Sequence, residues 1–186
     1  MEKRQHFLIL QPQLDIQRLV FVDESGFRLG SSPEYGWAER GKKYYGSEVQ
    51  SSWKHMTMIG AIALDGIRGL MSWDCGTTAE VFQKFIEFEL GPQLNPGDIV
   101  VMDNLSSHKN EHVRDLIEAK GASPLFLPPY SPEFNPIEKM WSKLKPMIRR
   151  LNTLTRHEFE HALASALSHI SNDNILAWTL HAGYTH

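Results

Sequence analysis

The sequence predicts an α/β protein in which helices flank a mixed sheet, and three observations lead to this fold class. The first half of the chain holds three strand-like apolar runs, two of them joined by the turn-forming pair Asp65-Gly66. In the second half, stretches with helical spacing of apolar residues alternate with short apolar strands. The length of 186 residues, 41% of them hydrophobic, suffices for one core but hardly for two domains.

The three early strands are expected to be antiparallel. Residues 18–22 read as a short buried strand that should end at Asp23, where the turn-prone residues 24–26 begin. Residues 56–64 and 67–73 flank Asp65-Gly66, a dipeptide that tolerates the positive φ angles of a tight hairpin. A second, weaker strand is predicted at 37–43.

Helices and strands alternate in the second half. A helix should begin with a capping box at residues 77–80 and end at Gly91-Pro92. The later predicted elements are a strand at 98–102, a helix at 110–120, a strand at 124–127, a helix from 136 to about 148 and a helical region from 156 to about 170. Pro146 should kink or shorten the helix that contains it. This element order is that of the ribonuclease H-like fold, in which the first and fourth strands are neighbours.

Composition and charge exclude several classes of protein. The net charge of −3 and the pI near 6.3 argue against a surface that is basic throughout, although a local basic stripe stays possible. A single cysteine, Cys75, rules out an intramolecular disulfide. The apolar run at residues 7–10 is too short for a signal sequence or a membrane span. We therefore expect a soluble, cytoplasmic protein without a membrane partner.

Three acidic residues stand at positions where the predicted fold would bring them together. Asp23 and Asp103 each follow the apolar run of one of two neighbouring strands, and Glu138 lies in the first turn of the helix after the last strand. Taken singly, each acid has an ordinary explanation, because aspartates commonly end strands and a glutamate can cap a helix. Together, three close carboxylates repel one another unless a cation neutralises them.

Oxygen ligands of this kind select Mg²⁺ or Mn²⁺ over zinc. Two such ions about 3.5–4 Å apart activate a water or a 3′-hydroxyl and stabilise the leaving oxygen of an in-line phosphoryl displacement. The three acids therefore predict a site for phosphodiester chemistry that uses two divalent ions.

The start of the helix that contains Glu138 has a simple interpretation of its own. Asn135 can be the N-cap, Pro136 the first helical residue and Glu138 the third residue of a capping box. The positive end of the helix dipole should then favour the ionised form of Glu138. Glu24 should point away from Asp23, and Glu133 precedes the helix in a proline-rich loop, so neither is expected to be a ligand.

Residues 157–161 match the HExxH pattern of zinc peptidases, with His157 and His161 on one helical face. Thr155 and Glu158 form a capping box, however, which explains the glutamate as part of a helix start. No third ligand follows at a recognisable spacing, so a structural role is favoured.

Basic residues follow Glu138 along the same helix: Lys139, Lys143, Lys145, Arg149 and Arg150. They can form a solvated face or track the phosphates of a nucleic acid, in which case their contribution should fall as salt rises. Trp37, Trp53 and Tyr130 can stack on bases or belong to the core.

Five segments in order resemble the catalytic domain of insertion-sequence transposases of the mariner superfamily. They are FVDESGF (21–27), WAERGK (37–42), VVMDNLSSHKN (100–110), LPPYSPEFNPIEKMWSKLK (127–145) and HAGY (181–184). Asp103 and Glu138 are separated by 34 residues, which is the spacing of this superfamily when its third acid is glutamate. The resemblance implies an Asp-Asp-Glu triad and a DNA strand-cutting and strand-transfer enzyme.

The resemblance also implies roles for individual residues. Asp23, Asp103 and Glu138 would be the catalytic metal ligands, with Asp23 bridging two Mg²⁺ or Mn²⁺ ions. Asn104 and His108 would orient a metal-bound water or contact DNA. Asn135 would fix the direction of Glu138, and Lys139 and Lys143 would contact DNA. These last five residues would thus support the site without binding the metal.

The expected partners are transposon-end and target DNA, together with a second copy of the chain or a separate DNA-binding polypeptide. Relatives begin with helix-turn-helix modules, so residues 1–14 are interpreted as the stub of a connecting helix and residues 15–186 as the catalytic domain. Two other functions stay open at this point. The chain could be an inactive relic that keeps an interaction surface, or a ribonuclease H-like nuclease of the host.

Overall fold

One sheet of five strands forms the centre of the protein. The computed structural model describes residues 2–31, 39–43, 54–74, 76, 78–105 and 110–185. The strands are β1 (Leu19–Arg28), β2 (His55–Ala63), β3 (Gly66–Trp73), β4 (Ile99–Met102) and β5 (Ser123–Phe126). The helices are α1 (Glu2–Leu10), α2 (Ala79–Lys84), α3 (Glu111–Glu118), α4 (Ile137–Arg150), α5 (Arg156–Leu167) and α6 (Asn172–His181).

The strand order across the sheet is β3-β2-β1-β4-β5. β2 pairs antiparallel with both β1 and β3, whereas β4 pairs parallel with β1 and with β5. The predicted mixed sheet and the predicted contact between the first and fourth strands are therefore confirmed.

Each face of the sheet is covered by a separate apolar core. One core lies between the sheet and α4, α5 and α6 and includes Phe21, Trp141 and Phe159. The other lies under α2 and α3 and includes Val22 and Phe82. Side chains alternate along a strand, so Asp23 follows Phe21 onto the α4 face. Glu24 lies on the opposite face, as predicted.

Two strand predictions were wrong. β1 does not end at Asp23 but continues to Arg28, because β2 is long enough to pair with it from Phe21↔Ile62 to Arg28↔His55. The residues that resemble a turn in sequence are thus extended by their partner strand. Residues 39–43 contain a turn and no strand, and the rest of the predicted strand at 37–43 falls outside the described residues.

The helices differ from the predictions at several points. Thr78, not Thr77, caps α2 by accepting from the Val81 N–H, and the helix continues as a π-helical turn over Phe85–Leu90. Pro146 lies inside α4 without ending it, and buried Leu144 and Ile148 pack on either side. The predicted helical region from 156 ends earlier, at Leu167. A separate helix, α6, follows with a capping box at Ser171.

The segment before the sheet packs onto the domain. The Phe7 ring is buried 5.0 Å from the Phe134 ring, and Arg4 forms an ion pair with Glu133. Gln11 donates from Nε2 to the carbonyl of Ala182 at 2.7 Å. The boundary at residue 14 stays a prediction. Among the helices of the described residues, none combines the length and apolarity needed to cross a membrane.

Candidate active site

A cavity of about 320 Å³ opens where β1, β4 and the start of α4 meet. Asp23, Asp103 and Glu138 all line it. The remaining lining residues are Asn104, Leu105, Leu127, Pro128, Pro129, Tyr130, Ser131, Pro132 and Asn135. The fold therefore brings the three predicted acids to one place.

The sheet sets the positions of the two aspartates. Phe21 of β1 pairs with Val101 of β4 in parallel, and both Asp23 and Asp103 lie two residues further along. Asp103 follows the end of β4 as predicted, and its Oδ1 accepts from the Leu105 N–H at 3.1 Å. Asp23 instead lies in the middle of β1, opposite Gly60 of β2. The pairing of β1 with β4 ends at Phe21 and Val101, so Asp23 lies just beyond the last paired residues.

The environment of Asp23 disfavours its ionised form. Burial is the largest cause and raises the pKa of Asp23 from its ordinary 3.8 to about 7, with the Glu138 charge adding to the effect. The Glu24 backbone N–H and the Trp141 indole oppose this by donating hydrogen bonds, while the Asp103 charge raises the pKa further. Asp23 is thus a half-buried carboxylate next to two others.

Trp141 is a site residue that sequence reasoning missed. Its Nε1 donates to Asp23 Oδ2 at 3.0 Å, although the helical pattern had assigned the residue only to the apolar stripe of its helix. A signal was available, because position 141 is three residues after Glu138 and so lies near it on the helix. Nothing in the helical pattern distinguishes an indole that packs from one that also donates.

The pKa of Glu138 is set by opposing influences. Burial raises its pKa, the charge of Lys145 lowers it and the charge of Asp103 raises it. Burial therefore outweighs the neighbouring positive charge, and the contribution of the helix dipole stays a prediction. Lys145 lies seven residues later on the same face of α4. Burial and Arg149 lower the pKa of Lys145, while Glu138 and Asp23 raise it.

Asn135 is not the cap of α4. The cap position is Pro136, which has no side-chain hydrogen bond, so Glu138 is the second helical residue and no capping box forms. Asn135 is buried and donates from Nδ2 to the Val22 carbonyl at 3.2 Å. Its Oδ1 is buried with no hydrogen-bond partner within the described part of the chain. The side chain ties the loop to β1 next to Asp23 and still lines the cavity.

A buried tyrosine holds the same loop from the other side. The Tyr184 hydroxyl donates to the Phe134 carbonyl at 2.8 Å, directly before Asn135. Phe134 ends a short 3₁₀ turn, Pro132–Phe134, whose direction sets where α4 begins. Contacts from β1 and from the region after α6 therefore fix the start of α4, and with it Glu138.

The other predicted supporting residues divide into distinct groups. Asn104 lines the cavity next to Asp103. Lys139 is exposed and borders a neighbouring cavity that Glu138 also lines. Lys143 is engaged elsewhere, because its Nζ donates to the His169 carbonyl and to Asn174 Oδ1, both at 2.6 Å. It joins α4 to α6 through these bonds, and its predicted contact with DNA stays untested. His108 lies outside the described residues.

Tyr130 is fully exposed at the rim of the cavity and has a positive φ of 56°, which is uncommon outside glycine. It does not belong to the core. Trp37 and Trp53 fall outside the described residues. Glu133 is engaged in the ion pair with Arg4 and does not line the cavity of the three acids.

The HExxH segment is a helix start. Thr155 and Glu158 form the predicted capping box, and the Glu158 carboxylate accepts from the backbone N–H groups of Leu154 and Thr155. The two histidines of the motif approach each other, with 3.2 Å between their Nε2 atoms. The described residues place no third ligand beside them.

The donor atoms of the cavity fit a hard divalent cation. Within the described residues, no three His, Cys, Asp or Glu side chains are already arranged to hold a metal ion. Without a cation, repulsion among the three carboxylates keeps them further apart than they would be around a bound ion. Burial and the Glu138 charge raise the pKa of Asp23, so a cation bound there would favour its ionised form. Asn135 adds a buried oxygen without a partner, suited to accept from a bound water.

Comparison with protein-family models assigns the fold to a family of enzymes. Residues 18–160 match the model described as DDE superfamily endonuclease. The chain belongs to this family. The match includes all three acids of the cavity. No curated protein sequence matches the chain significantly.

Solved structures resemble the DDE endonuclease closely in fold and weakly in sequence. The Mos1 mariner paired-end complex with Mn has a TM-score of 0.80 and 17% identity, covering 98% of this chain and 60% of that one. The Mos1 paired-end complex with the left transposon end has a TM-score of 0.78 and 15% identity, covering 96% and 56%. The crystallised catalytic domain of Mos1 gives 0.71 and 14%, covering 97% and 87%. The predicted ribonuclease H-like fold is confirmed.

Proposed function

We propose that the chain is the catalytic domain of a DNA transposase that cuts phosphodiester bonds at transposon ends and transfers the strands to target DNA. The observation that carries the proposal is the convergence of Asp23, Asp103 and Glu138 on one cavity in a DDE superfamily endonuclease. The chain spans 56% to 60% of the length of the first two Mos1 complexes it resembles. Activities of the longer proteins are therefore part of the proposal.

The three carboxylates would hold two Mg²⁺ or Mn²⁺ ions, with Asp23 between them. Solved Mos1 structures with Mn and with Mg support this choice of ion for a similar fold. Bound divalent ions supply Lewis-acid activation of an attacking oxygen and stabilisation of a leaving one. In the first step a water attacks the phosphodiester at the element end, and in the second the freed 3′-hydroxyl attacks target DNA. Asn104 and Asn135 can orient the attacking water by hydrogen bonds.

The DNA would approach across the start of α4. Lys145 places positive charge beside Glu138 and Asp23, Arg149 adds positive charge near Lys145, and exposed Lys139 directly follows Glu138. Tyr130 offers an exposed ring at the cavity rim for stacking on a base. Mos1 is named in complexes with transposon ends and after strand transfer. We further propose that the active form is a homodimer, or an assembly with a separate DNA-binding polypeptide.

The test is a cutting assay with the purified chain on DNA that carries the ends of its own element. We expect nicks that leave a 3′-hydroxyl in Mn²⁺ and none in EDTA, followed by joining of the cut strand to a second DNA. A matched DNA with scrambled ends should be cut less. Equal cutting of both DNAs without any joining would favour a nuclease of the host instead. No metal-dependent cutting at all would contradict the proposal.

Lys145 and Lys143 provide a matched pair on one helix for testing the DNA path. Lys145→Gln should weaken DNA binding and reduce the slope of log affinity against log salt by about 1, because one phosphate contact is lost. Lys143→Gln should leave the slope unchanged, since its ammonium already binds His169 and Asn174. Fluorescence anisotropy at several salt concentrations measures both variants. Equal slopes for wild type and Lys145→Gln would exclude Lys145 from the DNA path.

A further inference from the structure

Trp141 links Asp23 on β1 to α4, the helix that contains Glu138. The residue is 2% exposed on α4, the helix that contains Glu138, and its indole Nε1 lies 3.0 Å from Asp23 Oδ2 on β1. A buried indole N–H needs an acceptor, and here it has a carboxylate rather than a backbone carbonyl. The indole therefore binds one oxygen of an acid that faces the cavity.

Gly60 makes this contact possible. It lies directly opposite Asp23 in the antiparallel pair of β1 and β2. A Cβ at this position would lie 2.8 Å from Trp141 Cη2 and 3.1 Å from Cζ2. Real Cβ atoms essentially never approach other atoms within 3.0 Å, so any other residue would displace the ring. The φ angle of Gly60 is not positive, so its missing side chain is what matters.

We propose that Trp141, seated on Gly60, is a positioning residue that orients the Asp23 carboxylate for metal binding; this rests on the proposed function. With Oδ2 held by the indole and the Glu24 N–H donating to the same carboxylate, rotation of the side chain is restricted. Asp23 then presents a defined oxygen to the cavity. Hydrogen-bonded partners of this kind orient metal ligands and affect both metal affinity and activity.

The chemistry of the indole suits this role. Its N–H is a donor only and carries no charge. A lysine or arginine at the same place would also hold the carboxylate, but its positive charge would repel the incoming cations. An indole fixes the direction of Asp23 without placing a positive charge in direct contact with the carboxylate.

The decisive variant removes the N–H and keeps the ring. Incorporation of 3-benzothienylalanine at position 141 replaces the indole N–H by sulfur with nearly the same outline, so the core should stay packed. We expect a 10- to 100-fold loss in Mn²⁺ affinity, in cutting rate at saturating Mn²⁺, or in both. Calorimetry measures the affinity without DNA, and circular dichroism checks that the fold is retained.

A double-mutant cycle tests the packing of the Trp141 ring against Gly60. Gly60→Ala should displace the indole and cause a similar loss of Mn²⁺ affinity. Trp141→Phe removes the ring atoms that the new methyl group would meet, so Gly60→Ala combined with Trp141→Phe should be no worse than Trp141→Phe alone. Such non-additivity identifies a direct coupling between the two positions. Additive losses would contradict it.

A control separates positioning from general loss of packing. Phe159→Leu weakens the same core at a fully buried ring that stacks near Phe27, and it should leave Mn²⁺ affinity unchanged. If the benzothienyl variant binds Mn²⁺ and cuts DNA as the wild type does, the role of Trp141 is overturned while the proposed function stands. If the wild type itself neither binds Mn²⁺ nor cuts, both are overturned.

Discussion

Asp103→Asn is expected to lower Mn²⁺-dependent DNA cutting by at least about 1000-fold while leaving the fold intact. A metal ligand contributes several kcal/mol of transition-state stabilisation, and about 1.4 kcal/mol corresponds to each tenfold change in rate. The asparagine oxygen can still accept the Leu105 N–H that Asp103 accepts at 3.1 Å, so the turn after β4 should persist. What is lost is the charge.

The control for this prediction is Asp115→Asn, which makes the same chemical change at an exposed position of α3. It should cut as the wild type does. Initial rates on DNA with the element ends, measured at several Mn²⁺ concentrations, distinguish weaker binding of the ion from slower chemistry. Cutting by Asp103→Asn at the wild-type rate would remove Asp103 from the catalytic group.

Asp23→Asn is expected to stabilise the metal-free protein at pH 8 and to abolish its stabilisation by Mn²⁺. The folded-state pKa of Asp23 is raised to about 7, so the contribution of this group to stability is fully present below its ordinary pKa of 3.8. That contribution is lost as the pH rises through about 7, and at pH 8 ionised Asp23 destabilises the fold. Asparagine carries no charge at any of these pH values.

The size of the effect follows from the pKa shift. At about 1.4 kcal/mol per pKa unit, ionisation costs on the order of 4 kcal/mol. The asparagine amide can leave one of the two donors near it unsatisfied, which costs about 1 kcal/mol. The net gain should raise the melting temperature at pH 8 by roughly 5–10 °C for a chain of this size.

Thermal melts in EDTA from pH 4 to pH 8 measure this prediction. The difference between Asp23→Asn and the wild type should shrink as the pH falls below 7 and vanish near pH 4. Addition of Mn²⁺ at pH 8 should raise the melting temperature of the wild type only, because the variant lacks a ligand. If the wild type is more stable than Asp23→Asn in EDTA at pH 8, ionised Asp23 does not destabilise the fold and the prediction is wrong.

The fold and the site also differ in how much of them the sequence predicts. Asp103 and Glu138 could be placed because a short apolar run ends at one and a proline-marked helix start precedes the other. The length of β1 could not be predicted, since the turn-prone residues 24–26 are extended only by pairing with β2. The local preference of these residues for a turn is outweighed by their pairing with residues 57–59 of β2.

Contacts within the site were harder still to predict. The bond between Trp141 and Asp23 depends on the absence of a side chain at Gly60, which no helical pattern around residue 141 contains. Asn135 resembles a helix cap in sequence, yet its amide binds Val22 because the fold places that carbonyl within reach. Residue types and spacing predicted which acids meet, while the partners that hold them depend on tertiary packing.

The hydrogen bond from Tyr184 to the Phe134 carbonyl has a consequence for the order in which the parts of the site form. The loop before Glu138 is tied to residues 113 positions earlier and 50 positions later in the chain. Contacts so distant in sequence close late in folding, because each must overcome the entropy of a long intervening loop. During synthesis, a ribosome-bound chain whose Tyr184 has not yet emerged can build its sheet but lacks the clamp on Glu138. The start of α4, and with it Glu138, is therefore expected to reach its final position only after residue 184 has left the ribosome.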